Sequence, residues 1–320
     1  MSYNRLQDQE LIITERLQAE EMRMRQTKGY LATILSAVAY GSAPLMITLI
    51  YRSGFGVNSV AFYRVLFSAP VLALIVWLRR GESFRIRGKQ ILKIILLGVT
   101  GTVLTSMLLF RSYNHIDTGT ATTIHFSYPV VVILLDMLIC RRKPGKKIWI
   151  ALGLCFAGIL MFIDPGGSFT WKGFLLALGS SFSFATYVLY LERSRIMEEM
   201  PFCSFTFWFF LISSVLMFPI ALGSGELHGE IRPAGWAFMI GFALFDGLLA
   251  TVLQEYGVNV VGSRAASIIS AMEPVTSAAL GVLFLNETMG TRNVIGIVLI
   301  IAATVYLVLR GQERPTGEGG

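Results

Sequence analysis

Charge is what this chain has least of. Only 15% of its 320 residues are Asp, Glu, Lys or Arg, against about 25% in an ordinary soluble domain. That is too little to clothe a globule in contact with water. Cysteine is scarcer still. Cys140, Cys155 and Cys203 all lie within or at the ends of apolar runs. None has CxxC or metal-ligand spacing, so they read as small packing residues. There is no GxxxxGK[ST] phosphate loop, and HExxH and GxSxG are missing too. Nothing supports an enzyme, a metal or a cofactor, or work driven by a nucleotide bound to this chain.

What is present is apolar. Such residues make up 54% of the chain and the mean hydropathy is +0.64. Ten runs approach the roughly 20 residues that a helix needs to cross hydrocarbon. They fall near 30–51, 59–78, 91–112, 118–140, 148–163, 172–191, 203–222, 235–256, 264–285 and 293–309. A soluble core of this size cannot bury ten helices that are apolar all round. Without water in a bilayer to satisfy backbone groups, the runs read as helices. The ten-residue alternation of a β-barrel is absent. The expected fold is therefore an all-α, multi-pass membrane protein.

Basic residues set the orientation. Arg79, Arg80, Arg85, Arg87 and Lys89 form one cluster, Arg141, Arg142, Lys143, Lys146 and Lys147 a second, and Arg193 and Arg195 a third. The alternate connections hold little beyond Arg52, Lys172, Arg232 and Arg292. The rich loops belong in the cytoplasm. Both termini are then cytoplasmic, which agrees with an even number of spans. The net charge of +7 is on this reading a topology signal, and no nucleic-acid partner is expected. Residues 4–26 are helix-forming with interleaved charge, which predicts a cytoplasmic helical tail over 1–28 and argues against a cleaved signal peptide.

The chain also repeats itself. Lys28-Gly29-Tyr30 matches Lys172-Gly173-Phe174 at an offset of 144. Tyr128-Pro129-Val130 matches Glu273-Pro274-Val275, and Asn114 matches Asn259, at an offset of 145. Gly153 and Gly296 align the fifth and tenth runs. Five helices per half is an odd number, so the second half must enter the membrane from the opposite side. Such inverted repeats are characteristic of secondary transporters.

The stretch from Leu109 to Phe162 carries Tyr113-Asn114, the small-residue run Thr118-Gly119-Thr120-Ala121, Pro129, Gly153 and Gly158. Val258 to Leu307 repeats it with Arg264-Ala265-Ala266, Glu273-Pro274-Val275 and Leu285-Asn286-Glu287. These segments resemble the EamA-type repeat of the drug/metabolite transporter superfamily, over residues ~28–310. Arg64 stands where that family often has an arginine. The resemblance implies ten helices in two inverted five-helix halves, here 29–164 and 171–310, followed by a disordered cytoplasmic tail over 311–320. It also implies transport of a small metabolite, since members resembling it export amino acids, nucleosides and similar compounds. One departure stands out: Arg141-Arg142 occupies the place of Asn286-Glu287, so the first repeat lacks the matching glutamate.

An ionisable group inside a span costs at least ~2.5 kcal/mol at the helix centre and is a functional candidate by default. Asp136 lies near the basic cluster at 141–143 and reads as a structural partner to it. Glu255 and Arg264 read first as an ion pair at helix ends, and Arg111 as an interfacial residue. Arg64 either attracts an anionic group or anchors helices. His125, Asp246 and Glu273 are deep, and no cation is evident at the depth of either carboxyl. A carboxyl removed from water takes up a proton more readily, so Asp246 and Glu273 are candidates for proton coupling. His125 reads first as a satisfied buried histidine and second as a proton carrier. Pro129 and Pro274 remove backbone donors at matching points, freeing the carbonyls of residues 125 and 270, and Pro44 loosens the first span. Tyr40, Phe126, Tyr128, Phe184, Tyr187 and Phe245 could line a cavity; Tyr40 and Tyr128, next to these breaks, are the two retained. Gly153 with Gly158 reads as a helix-packing pair.

The functional expectation is a secondary transporter that moves a small polar metabolite, an amino acid or related compound, across the inner membrane by alternating access. Export and proton coupling are favoured. A passive facilitator or channel of the same fold, and a membrane scaffold or flippase, are the alternatives. Substrate identity, direction and a homodimeric state are left open.

Overall fold

The computed structural model describes the backbone of residues 2–140, 146–162, 170–228 and 231–310. Side chains are described from residue 20 onward, except at 133, 140, 147–148, 192, 228, 258–259, 262–265, 267–268 and 307–310. Cys140, Arg264 and the tail beyond 310 therefore fall outside the described side chains. Every regular element among the described residues is a helix: α1 Ser2–Arg52, α2 Val57–Leu78, α3 Gly88–Leu97, α4 Thr105–Ser112, α5 Thr118–His125, α6 Tyr128–Cys140, α7 Lys146–Met161, α8 Trp171–Ser194, α9 Ile196–Glu199, α10 Phe202–Gly223, α11 Pro233–Phe242, α12 Thr251–Ile269, α13 Met272–Leu285 and α14 Thr291–Arg310. Gly98–Leu104 and Ala243–Ala250 are π-helical and join α3 to α4 and α11 to α12, and a 3₁₀ turn covers Glu226–His228.

Among the described residues, seven helices are long and apolar enough to cross a membrane: Glu20–Arg52, Val57–Leu78, Gly88–Ser112, Thr118–Ile139, Trp171–Leu191, Phe202–Gly223 and Pro233–Gly257. Trp149–Met161, Met272–Leu285 and Thr291–Tyr306 are shorter apolar helices. Their outer faces stay apolar. Trp77, Leu138 and Leu283 are more than 70% exposed, which in water would be a liability and in lipid is required. The protein is a multi-pass membrane protein.

The expected break at Pro44 needs correction. α1 runs unbroken from Ser2 to Arg52, so the tail and the first span are one helix, and Pro44 does not break it. One proline removes one hydrogen bond, while α12 and α13 lie along α1 and hold it in line. In α12, the Nε2 of Gln254 donates to the Oγ of Ser270 at 3.2 Å. Sixteen residues of straight helix would separate those positions by ~24 Å. The helical run Thr251–Ile269 therefore doubles back on itself before Ser270.

The halves are tied to each other more than to themselves. α2 packs on α10, α7 on α14, α1 on α12 and α13, and α8 on α4, α5 and α6. α7 and α14 touch at Gly158 and Gly296, where an added Cβ on either would sit within about 3 Å of the other's carbonyl oxygen. Gly153 is not part of that contact: it is exposed and a Cβ there would meet nothing. The special features recur at matching offsets. The π segments begin at 98 and 243, and helix breaks fall at 126–127 and 270–271.

Three helices lack a cap of their own and receive one from the other half. Gly56, Asp117 and Pro201 make no side-chain bond to the helices they precede. Glu226 accepts from the backbone N–H of Asn58 at 2.6 Å and of Ser59 at 3.1 Å, at the start of α2. Glu82 accepts from the N–H of Ser204 at 2.8 Å and of Cys203 at 3.3 Å, at the start of α10. Glu287 accepts from the N–H of Thr118 at 2.8 Å and of Gly119 at 3.3 Å, at the start of α5. Each carboxylate satisfies orphan donors and faces the positive end of a helix dipole. Glu82 and Glu226 stand 144 residues apart, and the donors they meet stand 145 apart.

Glu82 lies in a loop outside the spans. Burial pushes its carboxyl up, but the bonds from Ser204 and Cys203 outweigh this and hold it below the ordinary value. A depressed folded-state value adds stability above the unfolded value and loses it as pH falls through the folded one. The difference in thermal stability between wild type and Glu82→Gln in detergent should be complete at pH 7 and should shrink below about pH 4. An equal difference at pH 3.5 and pH 7 would exclude a charged cap.

Candidate functional site

Where the second π segment crosses α2, two charges meet. The Nε of Arg64 donates to the Oδ2 of Asp246 at 2.5 Å. This corrects the expectation that Asp246 lacks a cation at its depth. Arg64 is only seven residues into α2, but the arginine stem is long and the backbones approach closely. Gly247 makes that approach possible, since a Cβ there would lie 3.0 Å from the carbonyl oxygen of Arg64. Ser68, one turn on from Arg64, donates to the carbonyl of Ala243 at 2.8 Å. A π segment widens the helix and re-aims its side chains, and here it turns Asp246 inward.

The pair is incompletely satisfied. Asp246 is 2% exposed, and its Oδ1 takes no hydrogen bond among the described residues. Arg64 is 17% exposed, and its described bonding uses Nε alone. One acceptor and the terminal fork of a guanidinium are thus left uncommitted.

Hydroxyls and a second carboxyl surround this centre. Tyr40 shares a hydrogen bond of 2.8 Å with Thr251, and its ring is near enough to Asp246 and Arg64 to feel both charges. Thr251 in turn donates to the carbonyl of Gly247 at 2.7 Å. Thr122 accepts from the hydroxyl of Ser277 across the halves at 3.2 Å. Glu273 begins α13 within reach of the Ser270 hydroxyl, and it senses the charge of Asp246. It is half-buried, with no arginine or lysine in ion-pair contact among the described residues. α1 passes it at Gly41, where a Cβ would lie 2.7 Å from the carbonyl oxygen of Glu273. The carbonyl of Ser270 is not free, as expected from Pro274, because it accepts from the N–H of Glu273 at 2.9 Å.

His125 is anchored. Its Nδ1 lies 2.9 Å from the Oγ of Ser180, whose own proton goes to the carbonyl of Ala177 at 2.6 Å. Ser180 must therefore accept, which places a proton on Nδ1. The ring stands 5.9 Å from Tyr128 and 5.4 Å from Phe184. Tyr128 meets Phe184 edge-on at 4.7 Å, and Tyr187 and Phe209 extend the aromatic wall. Phe245 is exposed in line with Gly241 and Leu249, away from this wall.

The remaining candidates have side-chain partners of their own. Asp136 pairs at 2.6 Å with Arg193; the 141–143 cluster lies outside the described residues. Arg111 donates to Asn58, which donates to Glu226. The described partner of Glu255 is Thr206 at 3.2 Å, and its expected partner Arg264 lies outside the described side chains.

Against this geometry, residues 27–163 and 171–309 each match the model of the EamA-like transporter family. The chain belongs to that family. Relatives include an uncharacterized transporter, YwfM, of Bacillus subtilis, 26% identical over 80% of this chain and 86% of its own length. The inner membrane transporter YicL of Salmonella typhimurium, also uncharacterized, is 21% identical over 90% of this chain and 97% of its own. The threonine/homoserine exporter RhtA of Salmonella typhimurium is 26% identical over 65% of this chain and 68% of its own. A crystal structure 15% identical in sequence superposes with a TM-score of 0.59 over 88% of this chain and 97% of that one, and supports the fold alone.

Within this EamA-like fold the two repeats differ at the centre. The position matching Asp246 is Gly101, and that matching Arg64 is Phe209. Tyr187 covers Gly101, with ring carbons 2.7 and 2.9 Å from where a Cβ would sit, and stands 5.8 Å from Phe209. An ion pair between the repeats at one position is answered at the matching position by Gly101 packed against the ring of Tyr187, which meets Phe209. Tyr113, Thr251 and the Glu82, Glu226 and Glu287 caps escaped sequence reasoning. The equal spacing of Glu82 and Glu226 was the available signal.

Removing one partner of a buried ion pair typically costs about 3–5 kcal/mol, whereas replacing both by apolar groups is far milder. Arg64→Met and Asp246→Leu should each lower the unfolding temperature in detergent, and the double variant should recover most of the loss. Additive losses in the double variant would mean that the pair is not coupled.

Proposed function

We propose that this chain is a secondary transporter that exports a small polar metabolite, an amino acid or a related compound, across the inner membrane. On this reading ten spans form two inverted five-helix repeats, 29–164 and 171–310, with both termini cytoplasmic. The 1–28 segment is a cytoplasmic extension of the first span. The lysine- and arginine-rich loops support that orientation. Caps that bind loops of one half to helices of the other support the two-half arrangement.

The observation that carries the reading is a polar centre left half-satisfied between the repeats. Arg64 offers a fork suited to a carboxylate, Asp246 an unused acceptor, and Glu273 a carboxyl with no described cation against it. A zwitterion supplies the matching groups. The relative named as a threonine/homoserine exporter supports a substrate of this kind. The bond to Arg64 moves Asp246 from proton carrier to the residue that positions Arg64. Glu273 then carries the coupled proton, with Tyr40 and Tyr128 as walls. Because each half packs mainly on the other, the two can rock about the centre and present it to either side.

Two experiments test this. A cysteine at Ser224 should react with impermeant reagent from outside intact cells; reaction only after permeabilisation would reverse the topology. Glu273→Gln keeps size and hydrogen bonding but cannot titrate. In proteoliposomes it should lose about tenfold or more of pH-gradient-driven amino-acid flux while retaining counterflow exchange. Wild-type gradient-driven flux in this variant would remove Glu273 as the coupling group, and flux without any coupling in the parent would indicate a facilitator.

A further inference from the structure

Glu255 is an ionisable side chain inside the span Pro233–Gly257, and the centre of Arg64, Asp246 and Glu273 makes no use of it. We propose that Glu255 is the proton-release site of the transporter, taking the coupled proton from Glu273 and passing it to water at the cytoplasmic end. The proposal rests on the proton-coupled reading above, to which it adds a second residue and a direction.

α10 fixes its place. Glu255 is half-buried, one turn into α12, and its Oε2 lies 3.2 Å from the Oγ1 of Thr206. Thr206 is one turn into α10, just past the N–H groups of Cys203 and Ser204 that Glu82 accepts from. Glu255 therefore stands at the end of the bundle that carries the basic loop 79–89. The Thr206 hydroxyl has one proton and two acceptors within reach, since the carbonyl of Phe202 lies 3.0 Å away. Donated to Glu255, that proton satisfies a carboxylate. Donated to Phe202, it leaves the hydroxyl oxygen to accept from a protonated Glu255. One partner thus serves both protonation states without moving a heavy atom. The described titratable groups that sense Glu255 are Tyr40 of α1, Tyr187 of α8 and Cys203 of α10. No lysine or arginine among the described side chains makes an ion pair with it, so none of these fixes it in the charged form.

Polar groups lead from this site to the centre. Gln254, next to Glu255, donates from its Nε2 to the Oγ of Ser270 at 3.2 Å, and Ser270 is within reach of the Glu273 carboxyl. The Oε1 of Gln254 is buried without a hydrogen-bond partner among the described residues, an acceptor left open beside this path. Thr251, one turn before Glu255, bonds to Tyr40. In the transfer the O–H bond of Glu273 breaks and one on Glu255 forms, with hydroxyls and water as carriers. Glu273 is left a carboxylate and Glu255 neutral; Glu255 then gives the proton to cytoplasmic water and is a carboxylate again. The repeat has this site once. At the offset of 145, the positions matching Thr206, Gln254 and Glu255 are Ala61, Leu109 and Phe110. Ala61 and Phe110 are buried in one apolar cluster, with Leu109 packed against it. Where the second half places a carboxyl, the first places a phenyl ring.

Two measurements on the full-length protein test this. Infrared difference spectra between acid and alkaline buffers, recorded on the protein in lipid, should contain a carboxyl C=O band that Glu255→Gln removes and Glu255→Asp returns at a shifted frequency. Thr206→Val, which keeps the shape and removes the hydroxyl, should move that band and the midpoint of its titration. In proteoliposomes, trapped pyranine reads proton flux on addition of a mixture of the common amino acids. Glu255→Gln should slow that flux about tenfold or more, the order of loss when a positioned proton-transfer group is removed, and Glu255→Asp should restore most of it. The absence of a Glu255 band, or parental proton flux in Glu255→Gln, overturns the proposal. Equal loss in Glu255→Gln and Glu255→Asp, with the band unmoved by Thr206→Val, makes Glu255 a structural residue and overturns it too. Failure of the underlying reading looks different: a parent protein with the Glu255 band but no amino-acid-driven proton flux would remove coupled transport, and the release role with it.

Discussion

A charge in the hydrocarbon layer has no water to turn to, and the centre of this protein is organised by that fact. Asp246 meets a cation where it stands because Arg64 reaches it, and Arg64 can reach it because Gly247 lets α2 and the π segment touch. The same rule governs helix starts. Gly56, Asp117 and Pro201 leave N–H groups of α2, α5 and α10 without a local side-chain acceptor, and glutamates from the opposite repeat fill the gap. Polar satisfaction is thus supplied across the interface between halves. The fold is held by bonds that lie where a moving interface would have to open.

The repeats share a backbone plan and diverge in side chains. π segments and helix breaks recur at nearly the same offset, 98 and 243, 126–127 and 270–271, while the side chains they carry differ. In one half the π segment presents Asp246; in the other, Gly101 accepts the ring of Tyr187. The two matching positions are thus chemically unlike, an ion pair at one and aromatic packing at the other.

Much of the architecture was legible in the sequence because the bilayer imposes long apolar runs, and because the offset near 145 repeats along the whole chain. The membrane class, the repeat, the break at Pro129 and Pro274 and the anchored His125 all follow from local pattern. The Arg64–Asp246 bond did not, since residue count alone puts Arg64 too shallow, and the reach of its side chain depends on a close approach that sequence does not display. Pro44 misled for the converse reason: a proline weakens one hydrogen bond, and whether the helix breaks depends on the neighbours that brace it. The three caps were invisible because loop glutamates look solvated. Only their pairing with particular helix starts gives them meaning.

The same commitment explains how an acid sits within a basic loop. Glu82 lies among Arg79, Arg80, Arg85, Arg87 and Lys89, yet its carboxylate is taken up by the N–H groups of Ser204 and Cys203 and by the Ser204 hydroxyl. Held there, it satisfies donors that α10 cannot satisfy for itself and faces the positive end of that helix. Acids contribute little to the rule by which basic loops set orientation, so one residue can serve the fold of the other half without disturbing the signal carried by its basic neighbours.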